Sequence, residues 1–216
     1  MAVEPDPRRV GIVSVMDMTQ DAFSMTYFFE ASLDDLPAPP QEPSARWRWA
    51  HENGGVDAGW TTVVVTVQVV DDIAVVVDAP RVRCLSVTAA PCGTHVTPEG
   101  VGGGPLEPRL FEYEATVVGN AAMLRYEDER APSFTLGKNE SERLVIRVHV
   151  PSGKCQWQCT LPIVVDGRRV EYPLRTKTSP FVTVAGPDSE LYLWSGDRWL
   201  KGPGGLADPP VEADME

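Results

Sequence analysis

Residues 60–70 narrow the choice of fold more than any other part of the chain. Val63, Val65, Val67 and Val69 recur at every second position, with Thr62, Thr66 and Gln68 on the alternate ones. A period of two sends the valines to one face and the polar side chains to the other, which predicts a strand buried on one side and wet on the opposite side. Valine dominates the apolar residues of the whole chain. Its branched side chain is stiff at χ1 and packs well on a pleated surface, so the bias extends beyond this one segment.

The alternation returns three times. Phe111, Tyr113, Ala115 and Val117 face away from Glu112 and Glu114. Leu144, Ile146, Val148 and Val150 face away from Arg143, Arg147 and His149. Cys155, Trp157, Cys159, Leu161 and Ile163 face away from Gln156, Gln158 and Thr160. Residues 10–16, 22–30, 73–77 and 81–88 read as further strands. Asp166-Gly167 between two apolar runs is the signal for a type I′ hairpin. Ser195-Gly196-Asp197, between residues 191–194 and 198–200, predicts a second hairpin. Residues 91–108, rich in Gly and Pro, read as a long loop.

Only one helix is expected. Residues 36–40 (Leu-Pro-Ala-Pro-Pro) form a rigid extended connector. Ser44 then reads as an N-cap, and Asn53-Gly54-Gly55 stops the helix after about two turns. The predicted fold is therefore all-β, a sandwich with one short inserted helix near residues 44–53. With 216 residues the chain suits one domain over residues 10–201, between a flexible N-terminus (1–9) and a disordered acidic tail (202–216).

The formal charge of −12 argues against a nucleic-acid partner and against anionic membrane surfaces, which both call for basic patches. No apolar run approaches the ~20 residues of a membrane-spanning helix, so no membrane insertion is expected. Residues 1–9 carry two arginines without a following apolar region, and no export signal is expected in this chain.

Signatures of chemistry are sparse. There is no Gly-x-Ser-x-Gly elbow and no Walker loop, and no catalytic residue is assigned. His51-Glu52 begins like a zinc-protease helix, but Gly55 stands where the second His belongs. Residues 100–104 are glycine-rich without opening a helix, and residues 127–130 lack the ligand spacing of a calcium loop. Cys155 and Cys159 lie on one strand face ~13 Å apart, too far for one zinc ion or for a direct bridge. No cofactor and no metal are expected. Among the four cysteines, Cys84 and Cys159 fall on buried faces, whereas Cys92 and Cys155 lie near turns. A Cys92–Cys155 disulfide is the pairing expected in an oxidising compartment, and four free thiols in a reducing one. Trp47, Trp49 and Trp60 flank the Gly54-Gly55 turn and form a candidate platform for a sugar or peptide. The plainer alternative has Trp47 and Trp60 plugging one open end of the sandwich, helix against sheet.

Several segments in order carry a resemblance: Ala50-His-Glu-Asn-Gly-Gly-Val-Asp57, Ala79-Pro-Arg-Val-Arg83, Leu106-Glu-Pro-Arg-Leu-Phe111, Phe134-Thr-Leu136, Cys159-Thr-Leu-Pro-Ile163, Asp166-Gly-Arg-Arg-Val170 and Ser179-Pro-Phe-Val182. Over residues 10–199 the chain resembles a large group of uncharacterised actinobacterial proteins, many from streptomycetes. In that group a β-sandwich of immunoglobulin-like character often follows an N-terminal membrane anchor. The resemblance implies an immunoglobulin-like sandwich and an extracytoplasmic location. It carries no catalytic residue over, and the present chain departs from the group in showing no anchor. The function this favours is a non-enzymatic module that contacts another protein or domain. A carbohydrate- or small-molecule-binding domain is the alternative, and an enzyme with an unrecognised site comes third.

Overall fold

The computed structural model describes residues 10–13, 26–98, 108–115, 123–125, 131–174, 180–187 and 190–203. In chain order its elements are β1 (Val10–Val13), β2 (Thr26–Phe29), α1 (Pro43–Glu52), β3 (Val56–Ala58), β4 (Trp60–Val69), β5 (Val75–Val77), β6 (Arg81–Thr88), β7 (Thr94–Thr97), β8 (Arg109–Glu114), β9 (Met123–Arg125), β10 (Phe134–Leu136), β11 (Ser141–His149), β12 (Lys154–Val165), β13 (Arg168–Leu174), β14 (Phe181–Val184), β15 (Glu190–Trp194) and β16 (Trp199–Pro203). The class is all-β, as the alternation predicts.

The strands form two mixed sheets. The smaller has five strands in the order β1-β4-β11-β8-β9. The larger has eleven, running β10-β5-β12-β14-β3-β2-β7-β15-β16, with β6 and β13 also paired to β12. Three pairings are parallel: β11 with β8, β14 with β3, and β15 with β7. The long strand β12 organises the larger sheet. One of its edges takes β6 and then β5, and the other takes β14 and then β13.

The chain passes repeatedly from one sheet to the other, and two glycines mark crossings. Gly59 lies between β3 and β4, and Gly153 lies between β11 and β12. Their φ values of 74° and 75° fall in the left-handed region, where a side chain would be strained. Gly59 also bonds both ways, its N–H to the Val184 carbonyl and its carbonyl to the Val150 N–H.

One core joins the facing sheets. Val63, Val65, Val67, Phe111, Tyr113, Ile146 and Val148 from the smaller sheet meet Trp157 and Leu161 from the larger. All nine were expected on inward faces, and they form one cluster. Trp157, fully buried, stacks on Phe181 with ring centroids 4.3 Å apart. Polar groups also bridge the gap: the Tyr113 hydroxyl donates to the Pro80 carbonyl. Arg109 of β8 lies over the Phe134 ring of β10 at 4.3 Å while donating to Glu142 at 3.0 Å. Its aliphatic stem and planar head close that end of the core.

Local expectations hold in several places. Asp166 and Gly167 have φ values of 50° and 72°, the pair of positive angles a type I′ turn requires. The 195–197 turn joins β15 to β16 with Trp194 opposite Trp199. Two expectations are corrected. The helix begins at Pro43 with Glu42, not Ser44, as its N-cap, because proline is well suited to the first helical position. The 91–108 segment is not all loop: β7 pairs with β2 and β15. Its Thr-His-Val-Thr run is short, and the glycines and prolines around it hide the strand signal. The terminal segments 1–9 and 204–216 and the 127–130 acid cluster lie outside the described residues.

Candidate functional site

The inward face of the larger sheet is longer than the smaller sheet can cover. Over β12, β5, β6 and β13 it is covered by the five-stranded sheet. Over β2, β7 and β15 it is covered by α1. Tyr27, Phe29, Trp49, Ala50 and Val96 form this second core, with Leu33, Leu36, Trp47, Tyr192 and Trp199 packed around it.

The helix sits close because of Gly55. Its N–H bonds the Ala50 carbonyl at 2.8 Å and closes the helix end. A Cβ at this position would lie 2.6 Å from the Phe29 ring. The other end of the helix is tied by Arg46, which donates to the carbonyls of Pro40 and Gln41, each at 3.2 Å. The rigid 36–40 connector is thereby held against α1.

Aromatic rings fill the space between. Phe29 and Trp49 have centroids 5.6 Å apart, Trp49 and Trp199 6.4 Å, and Trp194 and Trp199 4.9 Å. Trp47 packs on the His51 imidazole at 4.3 Å. His51 Nε2 lies 3.4 Å from Asp57 Oδ1, and Asp57 is buried on β3 opposite Tyr27. Burial, and then the Asp57 carboxylate, push the Tyr27 phenol well above its ordinary range. Three buried indole N–H groups gather here without a hydrogen-bond partner, those of Trp47, Trp49 and Trp199, beside the His51–Asp57 pair.

The predicted platform divides. Trp47 and Trp49 are brought together under α1, but Trp60 stacks on His149 at 4.5 Å, across from it on β11 of the smaller sheet. The end-plug pairing of Trp47 with Trp60 is corrected in the same way. Gly59, between β3 and β4, redirects the chain into the other sheet. Trp199 takes the third place in the cluster.

The predicted cysteine pair divides as well. Cys155 is buried with its sulfur 2.8 Å from that of Cys84, whereas Cys92 is exposed. Cys155 and Cys159 both point inward from the unbroken strand β12, four residues apart. Among the described residues no group of three or more His, Cys, Asp or Glu side chains could hold a metal ion.

Beyond the helix the hairpin β15–β16 projects at the end of the larger sheet. Tyr192, Trp194 and Trp199 face the helix side, and Leu193 and Leu200 form a cross-strand pair on the opposite face. These leucines are 37% and 44% exposed. The hairpin was legible in the sequence, and counting outward from its turn pairs Leu193 with Leu200. That signal was missed. Asp57 gave no local signal at all, because its burial follows from the pairing of β3 with β2 and β14.

No family model matches the chain, and no curated protein or solved structure is similar to it. No helix among the described residues is long and apolar enough to cross a membrane.

Proposed function

We propose that the chain is a non-enzymatic β-sandwich module of immunoglobulin-like character that binds another protein through its terminal hairpin. The observation that carries this reading is the exposed Leu193–Leu200 pair on β15–β16. A small apolar pair on a rigid, aromatic-backed hairpin suits an extended segment of a partner chain. Among the described strands β16 pairs only with β15, which leaves its outer edge available for strand addition. The partner segment would carry apolar side chains for the leucines and basic flanks, since the charge of −12 steers cations inward. The same charge weighs against nucleic acid. The extracytoplasmic face implied by the resemblance is a setting in which such a module meets partners.

The test compares tagged wild-type protein with a Leu193→Asp/Leu200→Asp variant in cross-linking capture from the native host. A partner lost by the variant, with circular dichroism unchanged, supports the reading. Identical captures, or none with either protein, overturn it.

The three unpartnered indole N–H groups and the buried His51–Asp57 pair favour a second reading, a site for a small polyhydroxylated ligand beneath α1. Thermal-shift titration with a sugar panel tests it. A shift abolished by Asp57→Ala supports ligand binding, and no shift with any sugar removes it.

A further inference from the structure

Two thiols meet inside the sandwich at a place no sequence spacing suggested. Cys84 on β6 and Cys155 on β12 are both on the inward face of the larger sheet, at 1% and 0% exposure. They are diagonal neighbours rather than directly opposite: Cys84 pairs with Trp157, and Cys155 with Val87. The register slips between Gln156 and Trp157, which leaves Leu85 as an extra residue on β6. A bulge of this kind bends its strand and increases the local twist, drawing one diagonal pair together. Gly153 lets the two strands close at that end, since any side chain there would strike the Thr88 carbonyl. The result is an Sγ to Sγ separation of 2.8 Å, closer than unbonded sulfurs rest and within ångström reach of the ~2.0 Å of a disulfide.

We propose that Cys84 and Cys155 are a disulfide site, a covalent staple between β6 and β12 that closes as the protein folds. The reaction consumes one external disulfide, of the class R–S–S–R. One cysteine loses its proton to solvent, and its thiolate attacks a sulfur of R–S–S–R. The old S–S bond breaks, RS⁻ departs and a mixed disulfide remains. The second cysteine, likewise deprotonated, attacks the protein sulfur of that mixed disulfide and releases the second RS⁻. Both RS⁻ groups take up protons. The two cysteines are oxidised by two electrons, and R–S–S–R is reduced to two thiols.

Burial fixes the timing. The folded interior excludes the external disulfide and holds the Cys155 thiol protonated, through desolvation and then through its contact with Cys84. Attack needs a thiolate, so the bond closes before the sheets do and resists exchange afterwards. Cys92 and Cys159 stay outside the staple, the first exposed and the second buried beside Val82 with no cysteine partner. A bond of this kind places the folding of the chain in an oxidising compartment.

The test is oxidative refolding of the full chain from its reduced, unfolded state in a glutathione redox buffer. Free thiols are then alkylated, and the peptides are mapped without reduction. The expected result is a Cys84 peptide joined to a Cys155 peptide, lighter by two hydrogens, with Cys92 and Cys159 alkylated. A Cys92→Ser variant should give the same link. The bond encloses a separation of 71 residues, so reducing the wild-type protein should lower Tm by roughly 10 °C. The Cys84→Ala/Cys155→Ala variant should show no such dependence on reductant. Alkylation of both Cys84 and Cys155 after oxidative refolding overturns the proposal, as does either one joined to Cys92 or Cys159.

Discussion

The hydroxyl of Thr61 on the smaller sheet lies 2.6 Å from that of Thr183 on the larger one, deep between the two layers. Thr183 also accepts a hydrogen bond from the Trp157 indole at 2.9 Å. One hydroxyl therefore satisfies two buried groups from opposite layers. Thr183→Val keeps the shape and removes the hydroxyl, leaving both groups unpaired. The expected loss is about 2–6 kcal/mol, from a penalty of about 1–3 kcal/mol for each of the two orphaned groups. Urea unfolding measures it, and Thr183→Ser should recover most of it. A loss below about 0.5 kcal/mol would show that the layers do not depend on this bridge.

Trp157 fills the centre of the main core at 0% exposure. Trp157→Ala should cost about 3–5 kcal/mol, through lost burial and a residual cavity. Equilibrium denaturation with an unchanged m-value is the check.

Gly55 tests how tightly α1 is seated. An added Cβ would meet the Phe29 ring at 2.6 Å and the Ala50 carbonyl at 2.9 Å. Gly55→Ala should therefore destabilise by about 1–3 kcal/mol. The emission of the tryptophans packed there should shift as the helix lifts. A neutral or stabilising result would mean that the helix is loosely held.

Alkaline pH should weaken the fold. Burial pushes the Cys159 thiol from 9.0 up to about 12. Tyr27 and Tyr113 are raised by burial as well. The raised thiol favours the folded state fully below pH 9.0, and its contribution fades as pH climbs toward about 12. Urea midpoints should fall over that window in reducing buffer. Cys159→Ala should flatten part of the slope and leave the tyrosine share. A slope identical to wild type would place the thiol in contact with water.

Leu193 and Leu200 should matter little for stability, being 37% and 44% exposed. Replacing both with Ser should change it by no more than about 1 kcal/mol, the sum of two ordinary surface substitutions. A loss of several kcal/mol would show that the pair belongs to the core of the hairpin rather than to a binding surface.

What the sequence alone determined is the direction of side chains along each strand. Val63, Val65 and Val67, or Trp157 and Leu161, turn inward because alternation is a local consequence of the extended backbone. The Asp166-Gly167 turn was legible for the same reason, since two adjacent residues set its geometry. The assignment of strand partners was not legible. Every strand offers the same N–H and C=O groups along its edges, so neither the parallel pairing of β11 with β8 nor the separate strand β7 has a local signature. Trp47 and Trp60 are near in sequence, yet the turn at Gly59 sends them to different layers. Cys84 and Cys155 are 71 residues apart, and a single extra residue in β6 brings their sulfurs together. Only the tertiary structure decided these contacts, because they follow from which strands pair within each sheet and how the two sheets face each other, and that is settled by the whole core at once.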